Sequence, residues 1–142
     1  MTNINVTRIA MGGAVAAVII FAITGIVNGG ILSSELEKWV QEMGSLVHPA
    51  GRSISMCLWA LMCLVLGIVG VWIYAGIRPR FGAGPKTALL AGLMLWIVCK
   101  FAVALDFIAL GLLPGRIVGG QLIGGFVAIL IGVFFGARLY RE

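Results

Sequence analysis

Apolar residues dominate four stretches of the chain, and the prolines are concentrated between them. The stretches are residues 9–32, 54–77, 87–110 and 117–139. Each contains about 23 residues, whereas about 20 helical residues cross a hydrocarbon core of roughly 30 Å. Pro49, Pro79, Pro85 and Pro114 lie between the stretches, where a helix can end without losing a buried hydrogen bond. The pattern predicts four transmembrane helices.

The composition indicates one membrane domain over residues 1–142. Hydrophobic residues make up 61% of the chain and charged residues 11%, and the mean hydropathy is +1.14. These values lie outside the range of soluble globular domains. We therefore predict an all-α, antiparallel four-helix membrane bundle with no soluble catalytic module. The first apolar stretch is longer than a signal-peptide core of about 7–15 residues, which predicts a retained first span.

Basic residues are distributed unequally between the two ends of the predicted bundle. Lys38, Arg52 and Arg116 fall at one end, together with the acidic residues of the first loop. The other end carries Arg8, Arg78, Arg80, Lys86, Arg138 and Arg141. The positive-inside rule therefore predicts that both termini and the second loop are cytoplasmic. The net charge of +5 is read as affinity for membrane lipids, not nucleic acid, with Arg78, Arg80 and Lys86 at anionic headgroups.

The first loop is predicted to contain a short amphipathic helix on the outer membrane surface, over residues 34–44. Ser34 and Glu37 have the spacing of a capping box, and Gly44 is a natural helix end. Between them, one apolar stripe follows helical spacing through Leu36, Trp39, Val40 and Met43. Such a helix could brace the bundle, or it could act as a lid or docking surface.

Two ionisable residues lie inside the predicted spans, Lys100 near the middle of the third and Asp106 in its outer third. In an α-helix they are about 120° apart, so each needs a partner on another helix, on another subunit, in a lipid headgroup or in water. Lys100 could also be neutral at this depth, since desolvation disfavours its charged form. Matching the depths of residues on the four spans predicts a polar pocket open to the outside, formed by Thr24, Asn28, Lys100, Asp106, Gln121, Arg52 and His48. These side chains could bind a solute or ion, or they could only hold the helices together by hydrogen bonds.

Glycine pairs at helical spacing predict close helix packing. The pairs are Gly25 with Gly29, Gly120 with Gly124, and Gly132 with Gly136. Two glycines four residues apart share one helix face and let another backbone approach. Spans one and four are therefore expected to pack against each other or against a neighbouring protein.

The sequence shows no arrangement typical of an enzyme or of a cofactor site. The single histidine, His48, precedes Pro49 in a loop and is interpreted as a turn residue. Cys57, Cys63 and Cys99 form no C-x-x-C pair, so they are expected to act as small apolar residues. We expect no metal, no cofactor and no enzymatic activity.

The second loop carries the most distinctive tract of the chain, WIYAGIRPRFGAGPKTA over residues 72–88. It resembles a recurrent signature of small, uncharacterised four-span bacterial membrane proteins. The terminal Leu139, Tyr140, Arg141 and Glu142, and the Asn28-Gly29 pair, are also similar to that group. The resemblance implies a multi-pass protein of the bacterial cytoplasmic membrane and implies no known activity.

Three functions remain compatible with these patterns. The first is a non-enzymatic membrane subunit or accessory protein that packs through glycine-rich helix faces into a larger assembly. The second is a small homo-oligomeric transporter or channel with an outward-facing pocket around Asp106, Asn28 and Lys100. The third, a quinone-linked oxidoreductase, lacks redox cysteines in a usable spacing.

Overall fold

The structure, a computed structural model, describes residues 5–46 and 51–140, without the side chain of Ser45. Within these ranges, four helices are long and apolar enough to cross a membrane. We name them span one (Val6–Ile31), span two (Arg52–Phe81), span three (Pro85–Ala109) and span four (Gly115–Leu139). For the described residues, the prediction of an all-α fold with four helices long and apolar enough to span a membrane is therefore confirmed. His48 and Arg141 lie outside the described residues.

Prolines lie close to the ends of the spans. Pro85 is the first residue of span three, where its missing N–H is not needed, and Pro114 directly precedes span four. Pro79 lies inside span two, which continues to Phe81 and does not end at Arg78 and Pro79 as the sequence analysis expects. Only the last residues of the helix follow this proline, so its missing hydrogen bond weakens an end and not a centre.

Span one is the element with the most extensive packing. It lies along both span two and span four, while span three packs against span four and, less extensively, against span two. The buried core consists mainly of small and β-branched residues, such as Ala16, Ile20, Val71, Ile129 and Val133. Their compact side chains let the helices approach closely, which is the usual basis of helix association in lipid.

Glycines bring the backbones of spans one, two and four into direct contact. A Cβ atom at Gly12 would lie 2.6 Å from the carbonyl oxygen of Gly136, and the reciprocal distance is the same. A Cβ atom at Gly13 would lie 2.7 Å from Cα of Ile68, and one at Gly67 would collide with the Gly13 carbonyl. We call Gly12, Gly13, Gly67 and Gly136 the glycine seam. It lies in the half of the bundle nearer the chain termini.

The glycine pairs that the sequence analysis selected behave differently on spans one and four. On span four, a Cβ atom at Gly124 would lie 2.7 Å from the Val27 side chain, and one at Gly132 would lie 2.7 Å from Ile20. Gly120 similarly faces Leu32. On span one, by contrast, no described atom lies within 4 Å of a Cβ built on Gly25 or Gly29. The face of span one that carries these two glycines therefore packs against no other described part of the chain.

A helix over Ser33–Met43, here named the loop helix, follows span one almost without interruption. Its N-cap residue is Leu32, so Ser34 and Glu37 do not form the expected capping box. The reason is that the chain enters from another helix, and the Leu36 N–H already bonds the Leu32 carbonyl at 2.9 Å. Gly44 follows Met43 with a φ of 50°, a conformation that favours glycine.

Two contacts attach the loop helix to the third loop and the start of span four. Trp39 donates its indole N–H to the Leu112 carbonyl at 3.2 Å. The Arg116 guanidinium lies 3.4 Å from a carboxylate oxygen of Glu35. Both contacts are exposed, so each contributes modestly to stability, but together they fix the position of the helix against one end of the bundle.

Spans one and three each contain one π-helical turn, which the sequence analysis did not predict. The turns cover Val27–Ile31 and Ile97–Phe101. A π turn closes its hydrogen bond over one more residue than an α turn, so it shifts the phase of the side chains that follow it. An α-helical wheel therefore misplaces Asp106 relative to residues before Ile97.

The opposite end of the bundle carries the basic residues of the second loop. Arg78 is half-buried, with its Cζ atom 5.8 Å from the centre of the Tyr140 ring. Arg80 and Lys86 are exposed, which leaves them accessible to the lipid headgroups expected there. Thr87 orders the loop by donating its hydroxyl to the Gly82 carbonyl at 2.8 Å.

Candidate functional site

A cavity of about 490 Å³ lies between the spans, at the end of the bundle that carries the loop helix. All four spans and the loop helix contribute to its walls. Its polar lining residues are Thr24, Asn28, Ser55, Lys100 and Gln121, and its main apolar ones are Val27, Leu36, Leu58, Trp59 and Met62. The volume falls within the range of small-molecule sites, about 300–1,000 Å³. We call it the Lys100 cavity.

Lys100 is the deepest polar residue of the cavity. It lies nine residues before the end of span three, which corresponds to about 13 Å of helix. Its aliphatic stem passes over Gly125, where an added Cβ atom would lie 3.3 Å from the lysine Cγ. Within the described part of the chain, the Lys100 ammonium makes no hydrogen bond or ion pair, and no acidic residue lines the cavity. A cation at this depth is costly without a partner.

A chain of hydrogen bonds joins spans one and four along the cavity wall. Gln121 donates its amide N–H to the Asn28 side-chain oxygen at 3.3 Å, and Asn28 donates to the Thr24 carbonyl at 2.9 Å. The Thr24 hydroxyl in turn donates to the Ile20 carbonyl at 2.7 Å. These bonds orient both amides, so the polar wall is organised before any ligand arrives.

Both π-helical turns contribute to this site. Val27 and Asn28 begin the turn of span one, and Lys100 belongs to the turn of span three. Apart from their ends, the remaining parts of these spans are α-helical. π turns are rare, and they occur frequently at functional sites because they redirect side chains. Because both π turns contain residues that line the cavity, the cavity is the candidate functional site of the fold.

Lys100 and Gln121 also border a second, smaller cavity of about 70 Å³ between spans three and four. The remaining walls of this space are mainly apolar, with Cys99, Val103, Phe107 and Leu122 among them. These two side chains therefore line both spaces.

The structure brings together some of the predicted pocket residues and leaves others apart. Thr24, Asn28, Lys100 and Gln121 line one cavity. Arg52 is exposed at the start of span two and does not line it. Asp106 is exposed in the last turn of span three, about 5 Å of helix from its end, and also lies outside the cavity.

Three lining residues, Ser55, Trp59 and Met62, are absent from the predicted pocket. An apolar side chain such as Trp59 or Met62 in an apolar helix gives no signal of the face it occupies. A polar residue one turn from Leu58 and Trp59 is the one signal that could have identified this face.

The donors that line the Lys100 cavity can bind an anion. Lysine offers three donors and no acceptor, and the two amides retain further N–H groups beside it. Groups of at least three metal-ligating side chains are absent from the described residues. Comparison of the chain with known protein families, curated proteins and solved structures finds no match. The functional argument therefore depends on the site itself.

Proposed function

We propose that this is a multi-pass protein of the bacterial cytoplasmic membrane, with both termini and the second loop in the cytoplasm. The support is the concentration of basic residues at the end with Arg78, Arg80 and Lys86, together with the resemblance of the second-loop tract to bacterial membrane proteins. In this orientation, the Lys100 cavity lies in the outer half of the membrane, and the loop helix lies at the outer surface.

We further propose that the protein is a small, non-enzymatic membrane carrier that binds an anionic solute in the Lys100 cavity. The observation that carries this proposal is the lysine itself, which faces a cavity of about 490 Å³ whose described lining residues include no acidic side chain. If Lys100 served only to hold the helices together, close packing and a hydrogen-bond or ion-pair partner would be expected for its ammonium. An anionic ligand would supply the missing charge partner.

Flux measurements on the purified full-length protein in liposomes test this function. We expect uptake of at least one of three labelled anions, namely acetate, octanoate and inorganic phosphate, and we expect Lys100→Met to reduce it about tenfold or more. The matched control is Lys38→Met, which removes an exposed lysine of the loop helix. Equal uptake by wild type and Lys100→Met would contradict the proposal, provided that both proteins show the same helical content.

The second candidate is an accessory subunit that packs into a larger membrane assembly. It is favoured by the unoccupied surface at Gly25 and Gly29 and by the exposed Asp106 carboxylate in the last turn of span three. Native mass spectrometry of the protein extracted gently from its own membrane separates the two functions. A stoichiometric complex with another protein would support the subunit, and a homo-oligomer would support the carrier.

A further inference from the structure

We propose that the ligand of the Lys100 cavity is an amphiphile with a single carboxylate, whose apolar body extends toward the gap between spans two and three. This inference rests on the carrier function proposed above and specifies its substrate class. It combines the donors of the site, its single charge, the nature of its walls and the direction in which it is least enclosed.

The hydrogen-bonding groups of the site favour an acceptor-only ligand. The Asn28 side-chain oxygen already accepts from Gln121, and the Thr24 hydroxyl already donates to a backbone carbonyl. The donors still available are the ammonium of Lys100 and the second N–H of each amide, while the Gln121 side-chain oxygen remains available as an acceptor. An ionised carboxylate has two acceptor oxygens and no donor, so it complements these donors.

The charge of the site favours a monoanion. Among the described residues that line the cavity, Lys100 is the one cation. A carboxylate and an ammonium form a neutral pair, whereas a phosphate dianion would leave an uncompensated charge at membrane depth. Sites for phosphate groups usually use arginine or several backbone N–H groups, and neither is present on these walls.

The remaining walls favour an apolar body attached to the carboxylate. Leu58, Trp59 and Met62 form the span-two side of the cavity, and Leu36 of the loop helix lies above it. A small hydrophilic anion would leave these surfaces in contact with water, whereas an alkyl or aryl group would bury them. The polar groups then fix the orientation of the ligand, and the apolar walls supply much of its affinity.

The cavity is least enclosed between the outer halves of spans two and three. Span three contributes Lys100 alone to the cavity wall, while spans one, two and four each contribute at least three residues. On span two, Ile54, Leu58 and Leu61 are more than half exposed at this level. An apolar body too long for the cavity would therefore extend through this gap into the hydrocarbon of the membrane.

Direct binding to the full-length protein in phosphatidylcholine nanodiscs tests the proposal. We expect saturable binding of labelled dodecanoate above that of empty nanodiscs, competed by octanoate but not by acetate, inorganic phosphate or dodecanol. Lys100→Met should weaken the binding of dodecanoate about tenfold or more, since it removes the charged donor, and Lys38→Met should leave it unchanged.

A second measurement locates the apolar body of the ligand while Lys100 is retained. Dodecanoate that is brominated at its terminal carbon should quench tryptophan fluorescence at concentrations that saturate binding. Trp59→Phe, compared with the wild type at equal occupancy by labelled dodecanoate, should lose most of the quenching, because Trp59 is the one tryptophan among the described lining residues. Unchanged quenching in Trp59→Phe would overturn the proposed direction of the apolar body.

The outcomes separate this inference from the function on which it rests. If acetate or phosphate binds in a Lys100-dependent manner at least as tightly as dodecanoate, the proposed amphiphilic ligand is wrong. The proposed carrier function would still stand. Dodecanol that binds as tightly as dodecanoate would show that the site does not require a carboxylate. If none of these anions binds in a Lys100-dependent manner, both the substrate class and the carrier function are wrong.

Discussion

At the scale of single residues, the hydrogen bond between Gln121 and Asn28 is the most consequential polar contact of the bundle. It joins spans one and four at the depth of the cavity, with a distance of 3.3 Å between the amide nitrogen and oxygen. In lipid, water competes little for such groups, yet cross-helix hydrogen bonds contribute only about 0.6 kcal/mol on average. Its role is therefore as much to orient the two amides as to stabilise the fold.

We predict that Gln121→Leu lowers the free energy of unfolding by about 0.6–2 kcal/mol, because it removes this cross-helix bond. Unfolding by a denaturing detergent in mixed micelles, followed by circular dichroism, measures the change. Gln41→Leu is the matched control, since Gln41 is exposed on the loop helix. Combining Gln121→Leu with Asn28→Leu should cost less than the sum of the two single changes, and strict additivity would show that the bond does not act as described.

The residues of the cavity could be predicted from the sequence as far as depth determines them. Thr24, Asn28, Lys100 and Gln121 share a depth, and the structure places them on one cavity. Depth alone did not predict on which side of span three Asp106 lies, because the π turn that precedes it shifts the phase of the helix. It was also insufficient for Trp59, since an apolar residue gives no indication of whether it faces lipid or a cavity.

At the scale of helices, the glycine seam determines how closely spans one, two and four approach. The sequence analysis predicted close packing from pairs of glycines four residues apart, but spacing identifies a helix face and not the partner of that face. Gly12, Gly13 and Gly67 take part in the closest contacts without belonging to the selected pairs. Gly25 and Gly29 belong to a pair and contact nothing nearby among the described residues.

We predict that Gly12→Ala is more destabilising than Gly25→Ala by about 1–3 kcal/mol, the usual cost of forcing an extra methyl group into a packed interface. Both glycines are in the α-helical part of span one, so the gain in helix propensity is similar and cancels in the comparison. Thermal unfolding of the two variants in the same detergent measures the difference. Equal stability would mean that the contact of Gly12 with Gly136 relaxes at little cost.

At the scale of the whole molecule, the two ends of the bundle differ in charge and in construction. One end carries Arg80 and Lys86 around the short connection between spans two and three, and Arg138 in the last turn of span four. The other carries the loop helix, which Trp39 and Glu35 attach to the third loop and span four. The four spans were predictable because apolar length is a strong signal, whereas the attachment of the loop helix depends on contacts between residues more than 70 positions apart.

We predict that the basic end faces the cytoplasm. After replacement of the three native cysteines by alanine, Ala83→Cys should be protected from a membrane-impermeant maleimide in intact cells and should react after permeabilisation. Glu37→Cys, on the loop helix, should react in both conditions because it is exposed on the outer side. The reverse labelling pattern would invert the topology and place the Lys100 cavity toward the cytoplasm.

The glycine seam also has an electrical consequence. In the proposed orientation, water that filled the Lys100 cavity from outside would conduct, so most of the membrane potential would fall across the closely packed half that the seam holds together. One elementary charge that crosses this half exchanges about 2.3 kcal/mol with the potential per 100 mV. An anion that enters from outside and stops beside Lys100 would experience little of that voltage. Its binding would therefore be nearly independent of voltage, and only its passage through the seam would generate a current.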